Sequence, residues 1–260
     1  MILKLEVLIS CMYDKPEELA LKSNLKDVKT LVVNQCDTNH ELFNVNDNLR
    51  IIDTTTRGLS VSRNIAIENS LGDVCLISDN DEKFVDGLEQ IIIDAYRELP
   101  TADIIAFKIK GKNIFNSSVK KLKKYETLKI PSWMITFKRK SVLGIIKFDK
   151  LLGAGTGNGA GEENKFMLDC YNAGLEMYYV DRLIGEFREE VPESTWFKGF
   201  NKKHFYNQGR TCRYVMGFPV AFVFGFYTLI KNYNNFKEEI SFFDSFWFYY
   251  KGLFDKKIGA

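Results

Sequence analysis

Short apolar runs that alternate with amphipathic stretches constrain this chain more than any other feature. Residues 3–10 read as a buried strand closed by a polar turn over 11–16, and 17–25 as a helix with Pro16 at its first position. Further strands are expected at 31–34, 49–53, 74–78 and 104–109. Helices are expected at 60–69, with Ser60 as N-cap and Gly72-Asp73 just beyond its end, and at 88–99. Alternation at this spacing predicts an α/β fold, a mostly parallel sheet flanked by helices. Such sheets bind ligands at the carboxyl ends of their strands, which here are 11–14, 34–37 and 79–81. Past 110 the pattern loosens into a basic stretch to 129, an apolar segment at 133–137 and loops to 152. Alternate glycines at 153, 155, 157, 159 and 161 then lead into a helix to 173 and a strand at 177–180.

A chain of 260 residues, 45% apolar and 27% charged, can bury one large core. Its 36 Lys and Arg against 34 Asp and Glu leave a net +2, so no global field favours nucleic acid, and none is expected as a partner. The five cysteines (Cys11, Cys36, Cys75, Cys170, Cys212) are odd in number, scattered and without a CxxC pair. That argues against a disulfide framework or structural zinc and for a reducing cytoplasm. The first ten residues contain Glu6 and lack a basic leader and a cleavage site, unlike a signal peptide. Residues 215–230 are apolar throughout but carry Pro219 and two glycines, and fall short of the ~20 residues a spanning helix needs.

Asp79-Asn80-Asp81 follows the strand at 74–78 directly, with Glu82 beside it. Mg²⁺ or Mn²⁺ takes one or two carboxylates plus phosphate oxygens, which alternate acids in a turn can supply. Asp and Asn also suit an ordinary surface turn, so the triplet alone leaves both readings open. The stretch RGLSVSRNIAIENSLGDVCLISDND, residues 57–81, resembles the donor-binding half of family 2 glycosyltransferases. A glycine turn, a small-x-Arg-Asn helix start, a Gly-Asp corner, an apolar strand and an Asp-x-Asp motif occur in the family's order and spacing. The resemblance covers residues 3–180 and implies the glycosyltransferase A fold. It places Asp79 and Asp81 at a Mn²⁺ or Mg²⁺ ion, Asp79 and Asn80 at the donor nucleotide, and Arg57 and Arg63 near the nucleotide or diphosphate. The alternative for Arg63 is a helix-surface cation paired with Glu68 or Asp73. By the same resemblance Ser10 and Met12 belong to the first nucleotide-contacting loop, and Gln35 and Asp37 to the second. There Asn34-Gln35 replaces a paired acidic motif, and an amide still offers a donor and an acceptor to a base edge.

Gly161-Glu162-Glu163 resembles the family's Gly-Glu-Asp motif, whose last acid is the general base; Glu163 takes that role with Glu162 beside it. A carboxylate there would accept the acceptor hydroxyl's proton during attack on the anomeric carbon. The competing reading is two acids favouring a helix N-terminus. The glycine run is not Gly-x-Gly-x-x-Gly and opens no βαβ unit, so it reads as a mobile, close-approach acceptor loop rather than a dinucleotide site. Family members often carry a histidine near where Glu186 and Phe187 stand, and this chain has none there. His204 is the candidate for a further metal contact, against an ordinary place on a basic helix; His40 reads as a loop residue.

From 194 to 237 there is no acid, and 21 of the 36 Phe, Tyr and Trp lie in the last 65 positions, so the tail differs chemically from the body. Two parts are expected: a catalytic domain over 1–190 and a helical region over 191–260. Basic residues among Trp and Phe suit an interfacial helix on an anionic bilayer, which would make the protein peripheral at the cytoplasmic face; packing onto the body or a homodimer face is the alternative. The reading is an inverting, metal-dependent glycosyltransferase that moves a sugar from a nucleotide-sugar donor, most simply a UDP-sugar. Its acceptor would be a glycan or lipid-linked hydroxyl in surface polysaccharide (capsule-type) synthesis, by analogy with the family. A sugar-phosphate nucleotidyltransferase would share sheet and carboxylates but needs an early Gly-rich basic loop, absent from 11–16. A non-catalytic carbohydrate-binding or scaffold protein would keep the fold without needing Glu163.

Overall fold

Val, Ile and Leu runs buried on both faces form the middle of one mixed sheet in a computed structural model, which describes residues 3–156, 158, 160–188, 197, 199–255 and 258. Strand β1 (Leu5–Met12) pairs in parallel with β2 (Thr30–Gln35), and β3 (His40–Asn44) forms the sheet edge, antiparallel to β4 (Leu49–Thr54). With β5 (Val74–Ser78) the parallel block runs β4-β2-β1-β5, so all four carboxyl ends open on one side. Helices α1 (Pro16–Lys22), α2 (Leu59–Asn69) and α3 (Leu88–Glu98) supply the crossovers. α3 buries Leu88, Ile92, Ile93 and Tyr96, and each such side chain contributes about 1.5–3 kcal/mol of transfer free energy.

Past β5 the sheet becomes mixed. A three-residue strand, β6 (Glu82–Phe84), follows the acidic turn. The order beyond β5 is β9 (Ile135–Lys138), β7 (Ile104–Ile109), β10 (Met177–Phe187) and β6, with β8 (Val119–Lys121) also on β10. β9 is antiparallel to both β5 and β7. The short helix α4 (Arg139–Val142) follows it, and α5 (Glu162–Asn172) precedes β10.

Three expectations need correction. Ser60 is not the N-cap: α2 starts at Leu59 behind Gly58, and the buried Ser60 hydroxyl donates to the Leu152 carbonyl at 2.7 Å. His40 lies in β3 rather than a loop, its Nδ1 3.0 Å from Asp53; all five β3 residues are exposed, so no apolar period marked it. β10 continues past 180 to Phe187 because register shifts at 180–185 absorb Asp181 and Arg182 as bulges. Glu6, the acid within an apolar strand, is buried by design of its partners: Arg50 Nη2 at 2.6 Å and the amides of Leu71 and Gly72 at the Gly-Asp corner.

The tail builds a second apolar core. It comprises α6 (Lys202–Met216), α7 (Phe218–Lys231), α8 (Tyr233–Phe236) and α9 (Phe242–Phe254), packed around Phe205, Leu229, Phe236 and Tyr249. Gly217 (φ 78°) and Pro219 split the apolar 215–230 stretch between α6 and α7, and among the described residues no helix is long and apolar enough to cross a membrane. α6 and α9 approach so closely at Gly209 that a Cβ would lie 2.0 Å from the Tyr249 carbonyl oxygen, and at Gly252 one would lie 1.9 Å from that of Tyr206. Leu152, Leu168 and Val215 join the two parts, and the Tyr214 hydroxyl donates to Asp149 at 2.6 Å. The boundary expected at 190 falls outside the described residues, as do Gly157, Gly159, Trp196 and Lys198.

Candidate active site

The acidic turn is held from inside. Glu82 is fully buried; its Oε2 accepts from the Ser78 hydroxyl and from the Asp79 amide at 2.9 Å, which fixes the chain as it leaves β5. From the other side, Arg188 follows β10, donates its amide to Asp81 O at 2.8 Å and its Nη2 to Asn80 O. The Asn80 side chain donates to Asp14 at 3.0 Å, which ties the turn to the end of β1.

The centre is Arg63. Its Nη2 bonds both carboxylate oxygens of Asp79, at 2.8 and 3.0 Å, and its Nη1 meets Glu162 at 3.1 Å. Burial works against the guanidinium's charge, but Asp79 and Glu162 outweigh it and hold its pKa above the ordinary value. The helix-surface alternative is therefore wrong: Arg63 is buried, and Glu68 pairs with Lys147 instead. The neighbouring motif residue, Asn64, clasps the Phe148 backbone with both ends of its side-chain amide, Nδ2 donating to the carbonyl at 2.9 Å and Oδ1 accepting from the amide at 2.8 Å. The small-x-Arg-Asn helix start thus pins the segment leading to α5 and joins the acidic turn to Gly161-Glu162-Glu163.

Acid exceeds base here. Burial, then the Asp79 charge, raises the Asp81 carboxyl. Burial, then Asp79 and Asp81, raises Glu82 well above the usual range. Burial and the Glu162 charge push Glu163 up to about 8, with Arg63 opposing. Glu82 Oε1, Glu162 Oε2 and Arg188 Nε are buried without a hydrogen-bond partner. A hard divalent cation would find Asp81 the freer ligand, because Asp79 is committed to Arg63. Among the described residues no three His, Cys, Asp or Glu side chains already form a metal cage, so phosphate oxygens would have to complete the coordination.

At the carboxyl ends of β1, β2 and β4 the expected donor residues divide. Ser10 is buried and accepts from Ser62 at 2.9 Å, and Gln35 donates to the carbonyls of Thr56 and Gly58, so both build the floor. Asn34 is likewise spent on Asp53 at 3.0 Å. Met12 is exposed at the rim. Asp37 and Arg57 pair at 3.0 Å, and the Tyr13 hydroxyl binds both, with the Arg57 guanidinium 5.4 Å over the Tyr13 ring. Tyr13 lies in the strand-end turn at 11–14 that the sequence marks as nucleotide-contacting, whereas Arg188 escaped sequence reasoning. Arg188 follows the very segment in which a histidine was sought, where Glu186 pairs with Lys110 and Phe187 packs on Trp133.

Between the start of α5 and α6 lies a cavity of about 770 Å³ lined by Leu128, Gly161, Asn164, His204, Gln208, Val215 and Phe224. Gly161 (φ 95°) lets α5 start against α6, for a Cβ there would come 2.5 Å from Thr211. His204 sits edge-on to Phe197, Phe200 and Phe205, and burial lowers its pKa. The structure places it at this cavity wall, and among the described residues it joins no cluster of acids that could hold a metal.

No protein-family model matches the chain, and no curated protein matches it by sequence. Solved structures do. S. aureus TarS 1-349 in complex with UDP-GlcNAc superposes with a TM-score of 0.57 at 14% identity, over 80% of this chain and 65% of that one. The same protein in complex with UDP gives 0.53 at 13% identity, over 80% and 64%. This chain spans less than two thirds of those structures, and at such identity the likeness establishes the fold: the glycosyltransferase A architecture that the motifs imply.

Proposed function

We propose that this chain transfers a sugar from a nucleotide-diphosphate sugar, a UDP-sugar, to a hydroxyl of a glycan or lipid-linked acceptor, with inversion at the anomeric carbon. One observation carries the reading: a single buried arginine joins the acidic turn after β5 to the acid pair at the start of α5. That supplies a cation-and-diphosphate side and a proton-accepting side within one ion-paired cluster. The TarS structures, solved with UDP and UDP-GlcNAc, support the donor class by fold analogy.

Asp81, with Asp79 behind it, would hold Mn²⁺ or Mg²⁺. Such an ion, when bound, offsets charge on the departing diphosphate. Asp14, Asn80 and Arg188 fix the turn, while Tyr13, Asp37 and Arg57 form the exposed rim on which the nucleoside rests. Glu162 is anchored by Arg63, which leaves Glu163 as the carboxylate that accepts the proton from the attacking hydroxyl. Its raised pKa is matched to that task near neutral pH. Among the described residues Glu163 is the one base on the acceptor side, its neighbour Glu162 being committed to Arg63, which favours inversion. The 770 Å³ cavity beside Asn164 and Gln208 suits the acceptor. By the family resemblance, the product is a surface polysaccharide made by an enzyme at the cytoplasmic face of the membrane. His204 is not retained as a metal ligand in this proposal.

Donor turnover with Mn²⁺ across a panel of nucleotide sugars tests it, with Asp81→Ala as control. The expected result is metal-dependent release of nucleoside diphosphate from one donor, with both turnover and UDP-induced thermal stabilisation weakened in Asp81→Ala. Undiminished turnover in that variant sinks the mechanism.

A further inference from the structure

The described surface holds a second feature that sugar transfer does not use. α7 buries Ala221, Gly225 and Leu229 against the rest of the tail and turns Phe222, Val223, Phe226, Tyr227 and Ile230 outward. Residues 218–230 contain no charge at all. α9 adds an outward stripe in which Phe243 is 85% exposed, Trp247 66% and Phe254 61%. The two stripes adjoin, because Phe222 meets Tyr250 at 5.0 Å and Phe218 meets Phe254 at 5.4 Å. Aromatic rings at such exposure cost free energy in water unless something covers them.

Charge identifies what covers them. Lys231 ends α7 with its ammonium 5.5 Å from the Tyr227 ring centroid, and Lys251 sits 5.8 Å from that of Phe248 on α9. Both cations border the apolar face. Of the nearby acids, Asp244 accepts from the Ser241 hydroxyl at the start of α9, Asp255 from the Tyr206 hydroxyl and Glu239 from the Phe200 amide. An uncharged aromatic surface with lysines at its edge is complementary to a lipid bilayer carrying anionic headgroups: rings enter the boundary region and ammonium groups stay with the phosphates. We infer that the α7–α9 face seats this protein peripherally on an anionic lipid surface. Phe224, on another side of α7, lines the acceptor-side cavity, so the seated helix stands between bilayer and cavity.

Vesicle co-sedimentation of the full chain tests this, with phosphatidylcholine vesicles made with and without phosphatidylglycerol. Binding is expected only with the anionic lipid, with a blue shift of tryptophan fluorescence. Phe226→Asp/Trp247→Asp should abolish it, and the purely superficial pair Lys231→Glu/Lys251→Glu should weaken it by about tenfold or more. Donor turnover in vesicle-free buffer, read in parallel, should be unchanged in both, because none of these residues lies in the catalytic machinery. Failure of the transferase reading would leave this result untouched. Absence of vesicle binding, equal binding with and without anionic lipid, or a soluble dimer dispersed by Phe226→Asp/Trp247→Asp in place of vesicle binding would each overturn the inference.

Discussion

The sheet body and the helical tail have separate apolar cores and treat their polar and apolar groups in opposite ways. The body draws Arg63, Glu82 and Glu162 out of water and leaves some of their atoms unpartnered. The tail keeps most of its charges outside and leaves Phe243 and Trp247 in solvent. Neither arrangement is what stability alone would select: buried ionic clusters often contribute less than apolar packing of the same volume, and exposed rings contribute nothing to folding. On the proposed reading the contrast teaches that each part would be completed from outside, the body by a cation and phosphates and the tail by a lipid surface.

That contrast can be broken at three points. The largest effect is expected at Glu163. Glu163→Gln should lower sugar transfer by about 10²–10⁴-fold, as removal of a general base does, with donor binding retained in a thermal-shift assay. The wild-type rate should rise as pH climbs through about 8, where the raised carboxyl ionises, and the variant should lose that limb. Stability runs the other way. The folded protein holds a proton on Glu163 that the unfolded chain releases near 4.5, so stability from this group is present below that value and is lost as pH rises toward about 8. Metal-free Glu163→Gln should accordingly melt higher than wild type at alkaline pH and equally at pH 4. A reversed order would mean that Glu163 is charged and paired in the fold.

Next comes Arg63. Arg63→Met leaves Asp79 and Glu162 without their shared cation and should cost about 3–5 kcal/mol, the penalty for breaking a buried pair, read by urea denaturation. A loss no larger than that of a surface ion pair would show that water reaches the cluster. The smallest effect belongs to the tail: Phe243→Ser should change stability by no more than about 0.5 kcal/mol, since the ring buries little. A large loss would reveal that the ring is covered in the folded protein and would dissolve the contrast.

Much of the body was legible because its signals are local. The strands at 74–78 and 104–109 match their predicted limits, and the glycosyltransferase A fold follows from the order of motifs. What escaped is long-range. β3 is wholly exposed, and β6 and β8 are three-residue strands, too short for any period to show. Arg188 acquires its place only when β10 runs past its bulges to lie beside β6. Ser60 looked like a cap because its neighbours suggest one; its actual partner, Leu152, is 92 residues away. Asn34 and Gln35 were read as base-contacting groups from their place at the end of a strand, and only the fold shows their amides turned inward.

The guanidinium of Arg63 is a rigid plane, so the nitrogens that hold Asp79 and Glu162 keep a separation set by covalent geometry. It works as a gauge block between the two sides of the site. Residues 79 and 162 are 83 positions apart in sequence, and this one planar group fixes their spacing in the fold. A lysine, with one nitrogen on a flexible stem, would fill the volume and lose the measure.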